Sequence, residues 1–177
     1  MDLTNILGAL TGNDAVNAVS QNLKVDPNQV SSVITSALPS LLGAMQKNAS
    51  TPGGAEALAK ALGDHAGSAG NLINNLKITD LTDGNKILSH IFGGNLSSVL
   101  SGISKNTGVS SGIVSKILAS IAPSLLAILG KQNGSSGAAG VGGLLGALLG
   151  GAQQGGSNNS GGLGSILGGL GSIFGKK

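Results

Sequence analysis

Two histidines, seven acids and ten lysines are the ionisable side chains that this 177-residue chain could bring to a reaction; cysteine, tyrosine and arginine are absent. Histidine titrates near neutrality, so His65 and His90 are the first places to look for a general base. His65 stands in Gly63-Asp64-His65-Ala66-Gly67, which reads as a loop, and His90 stands beside Ile91-Phe92 on a helical face. Asp64 and His65 suggest a metal pair, but neighbours on a helix point apart and a zinc site needs two further ligands that are not nearby in sequence. Surface charge is therefore the expected role of both. His90 alternates with Ile87, Leu88 and Ile91 and is expected to be a half-buried helix residue. Asp80 and Asp83 flank Leu81-Thr82, but calcium would want several more oxygens at alternating positions and Lys86 intrudes. Asp83 is expected to cap the helix that carries Ile87 to Phe92.

The glycines invite a test for phosphate loops. Gly130-Lys131 is followed by Gln132 and preceded by Leu125 where the pattern requires glycine, so it fails twice. Ser165 and Ser172 each follow a glycine but lack the upstream glycine and triad context of a nucleophile elbow. With no cysteine, disulfide scaffolds, thiolate nucleophiles, cysteine-type zinc sites and iron–sulfur clusters are excluded. The expectation is a chain that is not an enzyme, with no catalytic residue, cofactor, metal or small-molecule substrate.

The elements that hold these residues are helices. Mean hydropathy is +0.30 and 40% of residues are hydrophobic, enough apolar surface to build a core. Val30, Val33, Ile34, Ala37, Leu38, Leu41, Leu42 and Met45 recur at spacings of three and four, one buried helical face. Strand signals are missing. Glycine divides the chain: 17 of its 32 glycines lie between Gly134 and Gly175, and no charge occurs from Gln132 to Gly175. The predicted fold is all-α, a small helical bundle over residues 1–131 followed by a glycine- and leucine-rich, partly disordered tail over 132–177.

The bundle is built from two tandem repeats, about 3–77 and 84–131. A shift of 84 lays Val19–Lys47 over Ile103–Lys131 without a gap and makes 11 identities in 29 positions, among them Pro39/Pro123, Ser40/Ser124, Leu41/Leu125 and Leu42/Leu126. At a slightly shorter shift Ile6-Leu7 lies over Ile87-Leu88. Asp26 is expected to cap a helix with Pro27 at its first position, and Ser110 or Ser111 to cap the second copy. Proline within a helix removes a backbone bond and crowds the carbonyl four residues back, so a kink or break is expected at Pro39 and Pro123. The segments Pro39-Ser40-Leu41-Leu42 and Pro123-Ser124-Leu125-Leu126 thus mark either a packing bend or a groove.

Each repeat also contains a helix, a short turn and a second capped helix, an arrangement like a helix-turn-helix unit. A DNA reader needs cations for phosphates, whereas the second helix offers Asn28, Gln29, Ser31 and Ser32 in the first copy and Lys116 as the single charge in the second. Residues 1–83 carry four lysines against seven acids and residues 84–177 carry six lysines and no acid, −3 and +6. All ten basic residues are lysine, without the arginine that reads phosphate and guanine in pairs of bonds. Nucleic acid is therefore not an expected partner, and a DNA-binding helix-turn-helix-like protein is only the third reading.

The tail carries two apolar ribbons. Val141, Leu144, Leu145, Leu148 and Leu149 form one helical stripe; Leu163, Ile166, Leu167, Leu170, Ile173 and Phe174 form another. Small residues run between them at a spacing of four, Gly142, Gly146 and Gly150 in the first and Gly164, Gly168 and Ser172 in the second, a pattern that lets helix backbones approach closely. Each interior glycine costs roughly 1 kcal/mol against alanine, so neither ribbon is expected to be helical without a partner. The candidate association residues are Gly142, Leu145, Gly146, Leu149, Gly164, Leu167, Gly168 and Phe174. Lys176 and Lys177, beyond the last ribbon, would suit anionic headgroups.

The duplicated Pro-Ser-Leu-Leu segments, the early Asn5-Ile6-Leu7-Gly8, the glycine–leucine tail and the ending Ile173-Phe174-Gly175-Lys176-Lys177 resemble the YidB-like family of bacterial proteins, catalogued as domain of unknown function 937. The resemblance covers essentially the whole chain. It implies a small helical bundle in a bacterial protein without an assigned activity, and it supplies no catalytic or binding residues. The start Met1-Asp2-Leu3-Thr4-Asn5 lacks the basic residues of a signal peptide, and no run of about 18 uninterrupted apolar residues is present to span a bilayer, so a cytoplasmic location is expected. The functional expectation is a non-catalytic interaction or self-assembly protein that associates through helical faces and the tail. The alternative is a peripheral membrane factor anchored by the tail.

Overall fold

A computed structural model of the chain describes residues 3–51, 53–134 and 137–151. The first helix, α1 (Leu3–Thr11), is short; α2 (Asn13–Leu23) turns into the long α3 (Pro27–Ala49). The face read from periodicity is the face that packs, for the eight positions from Val30 to Met45 are the buried residues of α3. Asp26 caps it, its carboxylate accepting from the Asn28 N–H at 2.7 Å, with Pro27 in the first turn. Then come α4 (Gly54–Ala66), a 3-10 turn over Gly67–Asn71, and the short α5 (Leu72–Ile78).

The second copy of the hairpin begins after α6 (Leu81–Phe92) and a 3-10 turn. It consists of α7 (Leu96–Thr107) and α8 (Ser111–Asn133), and the shift of 84 carries the whole of α3 onto the whole of α8. The turns correspond as well. Lys24 (φ 54°) and Gly108 (φ 71°) are the left-handed residues that end α2 and α7, and their N–H groups donate to the carbonyls of Ser20 and Ser104. Ser110 stands at the cap of α8 without a side-chain bond to the helix. Of the kink or break expected at the prolines, the break does not occur, for both long helices continue through them. An α-helix tolerates the missing N–H when packing on its neighbours holds the rest of the ladder.

The boundary expected near Lys131 falls inside α8, and beyond it α9 (Gly137–Gly151) packs on the bundle. This helix is the structural counterpart of α4: a shift of 83 carries Leu58 and Leu62, the buried pair of α4, onto Val141 and Leu145, both buried in α9. The two copies exchange these fourth helices, α4 lying chiefly on α8 and α9 on α3 and α4. Where Gly130 of α8 meets Leu62 of α4, the equivalent Gln46 of α3 meets Gly146 of α9. The small residue has changed sides of the crossing; backbone meets backbone at Gly130, whereas at Gly146 the neighbour is the end of the Gln46 side chain.

Helix α8 touches every other helix among the described residues and buries residues on all its sides. It therefore reads as apolar all round. An 18-residue window within it reaches a mean hydropathy of 1.9, which meets the length and composition of a membrane span and corrects the expectation that no segment does so. Ser115, Ser120 and Pro123 interrupt the apolar run without lowering the average enough. In the bundle, 67% of that window is covered by other parts of the same chain.

Candidate functional site

The sequence-derived candidates divide into core, surface and ribbon positions. Leu41, Leu42, Leu125 and Leu126 are core residues at 0 to 1% exposure. Pro39 is exposed on α3, and Pro123, half-buried on α8, borders a hollow of about 250 Å³ with His65, Asp80 and Asp83. Pro123 has a different consequence. It cannot give the Ala119 carbonyl its helical N–H, and Gly84 of α6 lies directly against that carbonyl, where a Cβ would overlap its oxygen. A backbone Cα–H against an unclaimed carbonyl is a weak favourable contact, and the absence of a side chain at Gly84 permits it.

In the first ribbon, Val141, Leu145 and Leu148 are buried against the bundle, while Gly142 and Gly143 are exposed and Gly146 faces Gln46. Seven of the fifteen residues of α9 are glycine, so this helix owes its existence to that burial. Its entry is fixed by Gly134 and Gly137, both at positive φ, and by the Asn133 amide donating to the Gly137 carbonyl at 3.1 Å. The side chain of Leu149 and all of Gly164, Leu167, Gly168 and Phe174 lie outside the described residues.

The histidines are placed differently from expectation. His65 is in the last turn of α4 and not in a loop; the flanking Gly63 sits on an exposed helix face with nothing near it. Its Nδ1 lies 2.8 Å from the Ala61 carbonyl and its Nε2 3.3 Å from Asp83 Oδ2, which ties α4 to α6. Asp64 turns away to the Lys60 ammonium at 2.7 Å, and that bond holds its carboxyl below the usual range. Asp80, not Asp83, caps α6: its carboxylate accepts from the Thr82 N–H at 2.7 Å, which lowers its pKa. Asp83, one turn further in, is engaged by His65. Among the described residues no group of three metal-ligating side chains converges.

His90 is exposed, where half-burial was expected, and it borders a partly enclosed, mainly apolar cavity with Lys86 at its edge. This cavity, about 160 Å³, lies between the end of α3, α4, α6 and α8. Ala57, Leu58 and Ala61 line it from α4, Ile87 and Ile91 from α6, and Leu126 from α8. Lys86, His90 and Asn48 complete the lining. The two alanines make the room, because they present small side chains to α6 one turn apart. Asn48 Nδ2 donates to the His90 carbonyl at 2.9 Å and pins the end of α3 to α6. An adjoining hollow of about 440 Å³ shares Asn48, His90 and Ile91 and adds Lys47, Phe92 and Val99.

The duplication supplies a comparison within the molecule. At the equivalent place in the other copy is a hollow of about 430 Å³ lined by Asn5, Ala9, Ile128, Lys131 and Gln132, with Ala69 and Leu72. Lys131 and Gln132 stand where Lys47 and Asn48 stand, but Asn5 and Ala9 replace Lys86 and His90. Only one copy therefore carries a lysine and a histidine one turn apart at this place. Sequence reading had Lys86 as an obstacle to calcium and His90 as an ordinary helix residue; their spacing of four beside Ile87 and Ile91 was the signal available.

Residues 5–132 match the family described as bacterial protein of unknown function, DUF937. No curated protein and no solved structure matches the chain.

Proposed function

The chain belongs to the DUF937 family of bacterial proteins, and from that premise we propose that it is a non-catalytic interaction protein that assembles with copies of itself through its second glycine–leucine ribbon. The observation that carries this reading is the docking of α9. A shift of 22 lays Val141, Gly142, Leu145, Gly146 and Leu148 over Leu163, Gly164, Leu167, Gly168 and Leu170. The three large residues of the first set are those that α9 buries. A bundle that holds one such ribbon by helix packing presents the kind of surface on which the second would be stabilised, and each chain has used its own α3 and α4 for the first.

The reading is tested by light scattering on the full chain beside a version stopped after Gly151. A stop at Lys131 would not serve, because it cuts α8 and removes α9 from the core. The expected result is a particle of several chains that becomes a monomer on truncation. An equal mass for both would refute self-assembly through this segment. In that case flotation with anionic vesicles tests the membrane alternative, for which Lys176 and Lys177 supply the cations. Both readings are cytoplasmic ones.

A further inference from the structure

We infer that the cavity between α4, α6 and α8 is a binding site for a small amphiphilic carboxylate, with an apolar body of about six carbons in the cavity and its carboxylate at Lys86 and His90. The volume sets the size. A cavity of about 160 Å³ is close to the roughly 150 Å³ apolar cavity that holds a benzene molecule, and its floor is made by Leu58, Ile87, Ile91 and Leu126. The rim sets the charge. Lys86 and His90 are both exposed and one turn apart on α6, and no acidic side chain lines this cavity or the adjoining hollow. Among the described residues the ion pairs are Lys60–Asp64 and His65–Asp83, so Lys86 and Lys47 are in neither. On the same helix Asp83 is turned to His65 on α4, and Asp80 caps the helix start through the Thr82 N–H and also feels the Lys86 charge.

The internal comparison makes the assignment specific. The hollow lined by Asn5, Ala9, Ile128 and Lys131 corresponds to the adjoining hollow rather than to the cavity, and it has Asn5 and Ala9 where Lys86 and His90 stand on α6. An anionic ligand should therefore choose one copy. Purely structural packing would give no reason for the choice.

Methyl NMR on the full chain tests the inference with sodium hexanoate, hexan-1-ol and sodium acetate as probes. Hexanoate is expected to shift the methyl groups of Leu58, Ile87, Ile91 and Leu126 with a millimolar dissociation constant and to leave Ile128 unmoved. Hexan-1-ol should bind the same methyls several-fold more weakly, and acetate should not reach them. Lys86→Ala, at an exposed position, should weaken hexanoate by about two- to fivefold and leave hexan-1-ol unchanged, in the range of an exposed ion pair. Ala61→Leu should fill the cavity and abolish both; Ala57→Leu serves as a second filling variant should the first disturb folding. Equal affinity for hexanoate and hexan-1-ol, shifts centred on Ile128, or a Lys86→Ala chain that still prefers hexanoate would each overturn the proposal. The outcome is independent of the assembly reading, since no residue of the site lies in the tail.

Discussion

Replacing Gly84 by alanine should destabilise the bundle even though alanine is the better helix former. Gly84 is in the first turns of α6, buried, with its backbone against Ala119 of α8. A Cβ there would lie 2.7 Å from Ala119 Cα and nearer still to its carbonyl, well inside the 4 Å of an ordinary apolar contact. The partner is backbone in the middle of a core helix, so no side chain can swing away. Relief requires α6 to move outward, which loosens Ile87, Leu88, Ile91 and Phe92, and loss of 0.5–1 Å of fit forfeits roughly a quarter to a half of each contact. Overpacking of this kind costs about 1–3 kcal/mol, and with four large side chains affected we place the gross cost at or above the top of that range. Alanine regains about 1 kcal/mol of helix propensity, which leaves a net loss of about 2 kcal/mol. Urea unfolding followed by circular dichroism measures it, and Gly63→Ala is the paired control. Gly63 is exposed on α4 with nothing within 4 Å, so the same substitution should stabilise there by about 1 kcal/mol. A Gly84→Ala chain as stable as the parent, with Gly63→Ala behaving as expected, would refute the close approach of α6 to α8.

Two further substitutions probe the duplication. Leu41→Ala and Leu125→Ala remove equivalent side chains that are 0% and 1% exposed, and each should cost about 2–5 kcal/mol in the same unfolding assay; an unchanged midpoint for either would contradict a core shared by both copies. Lys24→Gly places in the first turn the residue that the second copy has at Gly108. It should relieve a left-handed non-glycine residue (φ 54°) and raise stability by about 0.5 kcal/mol, after glycine's greater unfolded-state freedom offsets part of a penalty of roughly 1–2 kcal/mol. A lower unfolding midpoint for that variant would show that the Lys24 side chain contributes more than its backbone costs.

Several features were legible because they are local. The buried face of α3 follows from a spacing of three and four, and Asp26-Pro27 announces a helix start through one side-chain bond and one fixed angle. The 84-residue duplication was equally visible as letters. Capping was harder where two candidates stood close together. Asp80 and Asp83 differ in which of them precedes the first helical N–H groups, and Leu81 and Thr82 join the helix because Leu81 packs against the core. His65 was read as loop from its glycine neighbours, yet an exposed helix absorbs a glycine at modest cost when its other face is buried.

The sequence by itself determined helices, their apolar stripes and the fact of two copies, since these depend on residues within a turn or two of one another. Tertiary structure decided what each stripe meets. Ser40 and Ser124 are the same letter after the same proline, yet Ser40 is exposed and Ser124 is 1% exposed. The difference comes from α4 and α6, which cover α8 extensively, while their counterparts α9 and α1 pack on α3 less extensively. It also decided that Gly137–Gly151 is the counterpart of α4, a kinship the letters conceal because Glu56, Lys60 and Asp64 in one helix correspond to Ala139, Gly143 and Ala147 in the other. Burial constrains only the inward positions, and which positions face inward depends on helices far away in the chain.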